Sequence, residues 1–207
     1  MSRKLIASIC TFAAASLFLG GAAQADPTLQ GGGANNVVLV QTTTDNSSIV
    51  RSNTQVAHFG GPNLHSANVA SAVATSCTAC HSTAVAVQVV FATGSPQDFQ
   101  PANVAVAENI SCTLCGSFAY AWQYIVQTDG PVRLSAQGEQ EVEALKQEID
   151  ATAASIEPDS LANDLQLQGQ LDTLTGELKD VIDTQMVQVG VHGAGTVHEH
   201  IDSSPDD

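Results

Sequence analysis

Two C-x-x-C pairs carry the residues whose types and spacing could do chemistry. The first lies in the stretch CTACH at 77–81, and the second lies in CTLCG at 112–116. Two thiols at this spacing can form a disulfide, act as a redox pair or supply half of a tetrahedral metal site. A histidine directly after the second cysteine adds the pattern that attaches c-type haem. Four chemistries are therefore open, and the rest of the chain must separate them.

The haem pattern is complete in the first pair alone. There Cys77 and Cys80 would bond the vinyl groups and His81 would bind the iron. The second pair has Gly116 where the histidine would stand. A chemistry common to both pairs does not depend on the imidazole, so c-type haem is an alternative restricted to the first pair.

Zinc and redox chemistry would use the thiols differently. A zinc ion would take all four thiolates, of Cys77, Cys80, Cys112 and Cys115, in tetrahedral geometry. The 31 residues between the pairs exceed the spacing of a typical zinc ribbon. A thioredoxin-like centre needs a thiolate stabilised by a helix start or a base, and the residues between the cysteines provide neither. Both remain alternatives to a structural disulfide framework.

The N-terminal segment predicts export. Two cations, Arg3 and Lys4, precede an apolar run, and Ala23-Gln24-Ala25 fits a signal-peptidase site. We expect a signal peptide over 1–25 and a secreted, extracellular or cell-surface protein. The signal removes Cys10, and an even number of cysteines in an exported chain favours disulfides.

The connectivity of these disulfides is predicted from chain entropy. A bridge between the two pairs closes a loop of about 33 to 39 residues and is worth roughly 3.5 to 4 kcal/mol, whereas a bridge inside one pair closes a small ring. Cross-copy bridges are therefore favoured. The sequence does not choose between 77–115 with 80–112 and 77–112 with 80–115.

Both pairs belong to an internal duplication with an offset of 35 residues. The shared pattern is N-V-A-x-A-x4-C-T-x-C-x-S-x-A-x-A-x-Q, which places an amide at each end of each copy: Asn68 and Gln88, then Asn103 and Gln123. The identities follow a period of two, which is typical of side chains alternating across a strand. One face of each copy carries small residues and the amides, and the other carries large apolar and aromatic residues.

We therefore predict an α+β fold, in which the duplicated C-x-x-C unit forms hairpins of an antiparallel sheet and two amphipathic helices follow. The alternative is a mainly α protein in which the alanine-rich repeats form long helices. The predicted divisions are a Gly/Asn/Thr-rich segment at 26–67, with a hairpin around Asp45-Asn46-Ser47, the tandem repeats at 68–130, a helical region at 131–186 and a His/Asp-containing tail at 187–207.

In the region 131–186, apolar residues recur at helical spacing instead of the period of two seen in the repeats. Ser135 is a predicted N-cap, and Val142, Leu145 and Ile149 recur at helical spacing. After a break at Glu157-Pro158-Asp159, a second helix is predicted with one apolar stripe, formed by Leu161, Leu165, Leu171, Leu174, Leu178 and Val181. These helices are expected to cover a sheet or to pair with each other. A protein partner, or self-association through 135–186, is the interaction that this region suggests.

Charge and motifs restrict the function classes. Without Arg3 and Lys4 the chain keeps four basic residues against 21 acidic ones, a net charge of −17. Such a chain repels phosphate backbones and anionic lipids, so we expect no nucleic-acid partner and no membrane insertion after signal cleavage. An enzyme is disfavoured because the chain lacks H-E-x-x-H, a serine elbow and a phosphate loop. No cofactor is expected, with zinc or haem c as the alternatives. His198 and His200 are weak candidates for a metal in the tail.

The tandem pattern also carries a resemblance. The sequence N-x-A…C-x-x-C…A-x-A-x-Q, followed by Val132-Arg133-Leu134 and an acidic helix, resembles a group of secreted bacterial proteins of unknown function. The likeness covers about 68–150. Some members of that group have zinc-peptidase names, but the motif that such activity requires is absent here. The resemblance implies no catalytic residues. The sequence predicts a secreted, disulfide-stabilised structural or interaction protein, with a zinc- or c-type haem-binding protein as the alternative.

Overall fold

Long parallel strands dominate the computed structural model, which describes residues 34–189 and the backbone of 196–205. Strands and helices follow one another along the chain as β1 (Asn35–Thr42), β2 (Ser48–Gly60), β3 (Asn63–Thr75), β4 (His81–Thr93), β5 (Asp98–Ile110), β6 (Gly116–Thr128), β7 (Val132–Leu134), α1 (Ala136–Ala153), α2 (Leu161–Gln185), β8 (Met186–Gln188) and β9 (Thr196–Pro205).

The first six strands alternate between two sheets. Sheet A has the order β1-β3-β5, and sheet B has the order β2-β4-β6-β9. All pairs among β1 to β6 are parallel, and within these two sheets β9 alone runs antiparallel to its described neighbour, β6. The chain thus winds through three coils, 35–60, 63–93 and 98–128, each giving one strand to each sheet. This is a short solenoid, in which each coil stacks on the next.

The predicted antiparallel sheet of hairpin units is wrong. The two copies of the repeat stack in parallel with the same offset of 35 residues, so that Asn68 pairs with Asn103 and Gln88 pairs with Gln123. The alternative with helical repeats is wrong as well, because both copies are strands. The period of two identified strands, but it holds equally for a hairpin and for a solenoid, since side chains alternate in both.

The predicted N-terminal hairpin does not form either. Strands β1 and β2 flank the turn at 43–47 as predicted for a hairpin, yet they pair with β3 and β4 in opposite sheets. Within the predicted segment 26–67, residues 35–60 form the first coil and residues 63–67 begin the second. Its own copy of the inward amide is Asn36, which lies beside Asn68.

Small side chains fill the space between the sheets. The buried apolar residues there are Val38, Val40, Ala70, Ala72, Ala84, Ala86, Ala119 and Ala121. Alanine lets the sheets approach so closely that an amide on one reaches the backbone of the other. The Nδ2 atom of Asn68 lies 3.0 Å from the carbonyl oxygens of both Ala86 and Trp122 in sheet B. The small-residue face of each repeat is thus the inside of the solenoid.

The large side chains of sheet B form a second core with the helices. Val85, Val87, Val89, Phe91, Phe118, Tyr120, Trp122 and Tyr124 point away from sheet A and are fully buried. Helices α1 and α2 cover them with Val142, Leu145, Ile149, Leu167, Leu171, Leu174, Leu178 and Ile182. Burial of these aromatic and aliphatic side chains is the main apolar contribution that the helices make to stability.

Both helices begin at serine caps. The Ser135 hydroxyl accepts a hydrogen bond from the Gly138 N–H, and Ser160 does the same for Asn163. The predicted stripe on α2 is partly wrong: Leu161 and Leu165 are 54% and 56% exposed. The buried positions instead include Asp164 and Leu167. On a leucine-rich helix, several sets of leucines recur with a period near 3.6, so the sequence does not determine which set is buried. Contact with sheet B determines it.

Two strands, β8 and β9, follow α2. Strand β8 pairs with β7, and the backbone of β9 pairs with β6 at the edge of sheet B. Antiparallel pairing covers the backbone groups that β6 would otherwise present to solvent. Within the described residues, neither helix is long and apolar enough to cross a bilayer.

Candidate four-sulfur site

The two C-x-x-C pairs form stacked turns at one end of the solenoid. Turn 76–80 joins β3 to β4 and turn 111–115 joins β5 to β6, and the backbone ladder continues through them. The Ala79 N–H donates to the Thr113 carbonyl at 2.9 Å, and the Thr113 N–H donates to the Cys77 carbonyl at 3.2 Å. Because the turns stack like the strands, equivalent cysteines of the two copies lie side by side.

Left-handed backbone conformations shape these turns. Each turn has two such residues, Ser76 and Ala79 in the first and Ser111 and Leu114 in the second, with φ between 51° and 55°. Non-glycine residues adopt this region at a cost of order 1 kcal/mol each. A covalent or metal link between the flanking cysteines would hold the backbone in this conformation.

The sulfurs are joined within each motif. Disulfides connect Cys77 to Cys80 and Cys112 to Cys115, with Cα–Cα distances of 6.2 and 5.8 Å. The connectivity favoured by chain entropy, between the copies, therefore differs from the structure. Loop entropy ranks bridges by their effect on the unfolded chain, whereas the tight left-handed turn of the folded chain brings the two cysteines of one motif together.

The two disulfides lie in contact. The sulfur of Cys80 is 3.2 Å from that of Cys115 and 3.8 Å from that of Cys112, and the Cys77 and Cys112 sulfurs are 3.6 Å apart. Cys77 and Cys80 are 5% and 0% exposed, and the second pair is half-buried. The site is a compact cluster of four sulfurs at the end of the small-residue interior.

Neutral sulfur suits the surroundings of this cluster. The carbonyl oxygens of Thr42 and Thr113 lie 3.6 Å from the sulfurs of Cys77 and Cys115, and the Cys77 carbonyl lies 3.5 Å from the Cys115 sulfur. Carbonyl oxygens carry partial negative charge, so they favour a disulfide over a thiolate. The local charge therefore disfavours free thiolates at these positions.

The same four positions have the dimensions of a metal site. All four sulfur atoms lie within 4.8 Å of one another. Sulfurs around a tetrahedral zinc ion are roughly 3.8 Å apart, as bonds of about 2.3 Å require, and the contacts between the two pairs are 3.2 to 3.8 Å. Cys77, Cys80, Cys112 and Cys115 could hold a metal ion after reduction, with a net charge of −2 at the cluster.

His81 lies directly after the first pair, and its counterpart is fixed by packing. A Cβ at Gly116 would overlap the carbonyl oxygen of Pro158 in the α1–α2 connection, and would be 3.1 Å from His81 Nδ1. Residue 116 must therefore be glycine, whatever the cysteines do. The His81 Nδ1 atom is buried without a hydrogen-bond partner among the described residues. The Cys77 and Cys80 sulfurs face the second pair, whereas haem attachment would require them to face a porphyrin.

The amides of the repeat form two ladders inside the solenoid. Asn36 donates to Asn68 at 2.9 Å, and Asn68 donates to Asn103 at 2.7 Å. The second ladder runs through all three coils as well, with Gln123 donating to Gln88 at 2.7 Å and Gln88 donating to Gln55 at 2.8 Å. The predicted repeat amides are thus structural groups that bind one another and the opposite backbone. Asn36 and Gln55 were missed because the first coil diverges from the repeat pattern.

The other predicted metal candidates lie in β9. Backbone pairing places His198 opposite Ile125 and His200 opposite Gln123. The side chains of both histidines lie outside the described residues, so this prediction is not tested by the fold.

A cavity beside β2 and α1 was not predicted. It has a volume of about 250 Å³ and is lined in part by His58, Arg133, Glu143 and Lys146. The pKa of Glu143 is held below its usual value by a hydrogen bond and ion pair with Lys146, at 3.1 Å. Two of the few cations therefore lie at this cavity, although one already binds a carboxylate.

A second exposed ion pair links neighbouring coils. His65 Nε2 lies 2.7 Å from Asp98 Oδ2. Hydrogen bonds from His65, then from Gln100, lower the pKa of Asp98. Both side chains are more than 40% exposed, so this pair contributes little to stability.

No protein-family model, curated protein or solved structure matches this chain. The resemblance to secreted bacterial proteins with tandem C-x-x-C repeats therefore stays a prediction, and function is inferred from the geometry of the chain.

Proposed function

We propose that this chain is an exported structural or interaction protein, a short parallel solenoid whose turns are fastened by two disulfides. The observation that carries this proposal is the pair of stacked C-x-x-C disulfides, buried against each other beside carbonyl oxygens. Oxidised, neutral sulfurs of this kind need an oxidising compartment. The predicted signal peptide over 1–25 would deliver the chain to one.

Each disulfide acts on a small ring. In the chain-entropy relation, a ring of about four residues is worth roughly 2 kcal/mol. The two bridges also hold the left-handed residues of both turns, which the backbone alone disfavours. Their role in this proposal is to fix one end of the stack, so that the sheets present rigid outer surfaces.

The first test is the connectivity of the cysteines in the exported protein. Trypsin does not separate the pairs, because no Lys or Arg occurs between Arg51 and Arg133. A protease that cleaves after acidic residues cuts at Asp98 and Glu108, between the pairs. Digestion of the denatured, unreduced protein should give two separate cysteine peptides, each about 2 Da lighter than its reduced form.

Other outcomes of this digestion are equally informative. A single product in which the two cysteine peptides stay linked would show cross-copy bridges and contradict the within-motif pairing. Four free thiols that react with an alkylating reagent before reduction would contradict the disulfide proposal itself. The double variant Cys112→Ser/Cys115→Ser is the matched control, since the peptide with Cys77 and Cys80 should keep its mass.

A zinc protein is the second candidate function. It is favoured by one observation, the approach of all four sulfurs to within 4.8 Å. If it is correct, protein purified without chelator should contain about one zinc ion per chain, held by four thiolates that release their protons on binding. Elemental analysis on the same sample as the thiol count separates the candidates, because one sulfur cannot be both in a disulfide and a thiolate ligand.

A further inference from the structure

The outer face of sheet A carries large apolar side chains that none of the described residues covers. Five of its side chains are large and exposed by 36% to 58%: Val37, Leu39, Val104, Val106 and Ile110. Val69 and Val73 lie on the same face of the central strand β3 and are half-buried. Pairing in register places Val37 beside Val69 and Val69 beside Val104, so these three form one continuous apolar row across the strands. In the next row, Ser71 lies between Leu39 and Val106. Exposed patches of this kind mark interaction sites.

The two sheets are treated differently by the rest of the chain. Helices α1 and α2 cover the outer face of sheet B, and none of the described residues covers that of sheet A. Between Asp26 and Asp207, the undescribed segments 26–33, 190–195 and 206–207 contain only two large apolar residues, Leu29 and Val191. They lack the apolar side chains that covering this face would require.

Charge on this face favours a second copy as the occupant. The outward positions of β1, β3 and β5 carry two carboxylates, of Asp98 and Glu108, and no Lys or Arg. The whole chain has a formal net charge of −15. Two molecules that meet through sheet A therefore bring together faces that carry two carboxylates each. A strongly basic partner would be attracted elsewhere, where most of the carboxylates are.

The size of the face is suitable for a dimer of modest affinity. Three strands at about 4.8 Å spacing and 8 to 13 residues long give a footprint of roughly 400 to 600 Å². Two such faces bury on the order of 1,000 Å², the lower limit of specific interfaces. Two sheets can pack face to face about 10 Å apart, with their outward side chains interdigitated.

We propose that the outer face of sheet A is an isologous interface through which two copies of this chain associate. This inference deepens the proposed structural role by naming its partner. It is an alternative to the predicted association through helices 135–186, most of whose apolar side chains are buried against sheet B, while Leu161 and Leu165 are exposed.

The test is the molar mass of the oxidised mature protein, measured by sedimentation from about 1 µM to 1 mM at low and high salt. The mass should rise from one chain to two with concentration. Added salt should strengthen association, because it screens the repulsion between two acidic molecules. Leu39→Glu and Val104→Glu should each weaken dimerisation by at least about tenfold, since they place like charges at a desolvated contact.

Two further variants complete the experiment. Leu165→Glu is the matched control, because Leu165 is 56% exposed on α2, and it should leave the dimer unchanged. Val104→Thr keeps the shape of valine, so it tests the same contact if the glutamate variants do not fold. A monomer at all concentrations, or a dimer weakened by Leu165→Glu and not by the sheet A variants, would overturn the inference. Neither result would alter the disulfide digest, so failure here is distinct from failure of the proposed function.

Discussion

The residue type at position 116 is restricted by the side chains and backbone around it. The duplication places Gly116 opposite His81, and on sequence grounds the loss of the imidazole argues against haem in both copies. The structure gives a separate reason for the glycine, the close approach of the Pro158 carbonyl. Contact with the connection between α1 and α2 thus accounts for the glycine in the second copy.

Gly116→Ala should destabilise the protein by about 1 to 3 kcal/mol, because the added methyl group overlaps backbone rather than a flexible side chain. Gly169→Ala is the control: nothing lies within 4 Å of its added Cβ on α2. That change should raise stability by about 1 kcal/mol through helix propensity. Urea denaturation of the three proteins measures both effects, and an unchanged midpoint for Gly116→Ala would contradict the close contact.

The buried side of helix α2 is determined by its contact with sheet B. The helix has leucines on more than one side, and its burial is determined by sheet B, whose aromatic side chains receive Leu167, Leu171, Leu174 and Leu178. Tyr120 also donates a hydrogen bond to Asp172 at 3.0 Å, and Tyr124 donates one to Asp183. The two tyrosine hydrogen bonds and the apolar contacts therefore fix the rotation of α2 about its axis.

The element-scale prediction compares two leucines of α2. Leu171→Ala should cost about 2 to 5 kcal/mol, because it leaves a cavity in a fully buried core. Leu165→Ala should change stability by less than about 0.5 kcal/mol, since Leu165 is largely exposed. Thermal or urea unfolding tests this order. Equal losses would mean that the originally predicted stripe, with Leu165 on it, is the buried one.

The whole molecule is held together across its coils by the amide ladders. Asn68 lies at the centre of one ladder, is fully buried and donates both to Asn103 and to the backbone of the opposite sheet. Buried amides with all donors satisfied favour one register over its neighbours, because a slip by one residue would turn them outward. The ladders therefore connect the three coils into a single cooperative unit.

Asn68→Asp should destabilise the whole stack by about 3 to 5 kcal/mol, because a carboxylate would replace the donor that faces carbonyl oxygens. Asn63→Asp, at an exposed position of the same strand, is the control and should have little effect. Unfolding monitored by tryptophan fluorescence and by circular dichroism should shift by the same amount, since Trp122 belongs to the core that β6 shares with the helices. A loss below 1 kcal/mol for Asn68→Asp would argue against the ladder.

The sequence by itself determined the local features of this protein. Alternation with period two identified the strands of the repeat, and the alternation of alanines and amides with aromatics identified the two faces of each strand. Ser135 and the spacing of Val142, Leu145 and Ile149 located the first helix. These features follow from the geometry of a single strand or helix, so they need no knowledge of its neighbours.

Only the tertiary structure decided how those elements meet. Parallel stacking, the pairing of each cysteine within its own motif, the glycine at 116 and the buried side of α2 all depend on contacts between segments distant in sequence. A period of two is the same for a hairpin strand and a solenoid strand, and loop entropy describes the unfolded chain rather than the folded turn. The three-dimensional register of the coils supplied the information that both of those rules lack.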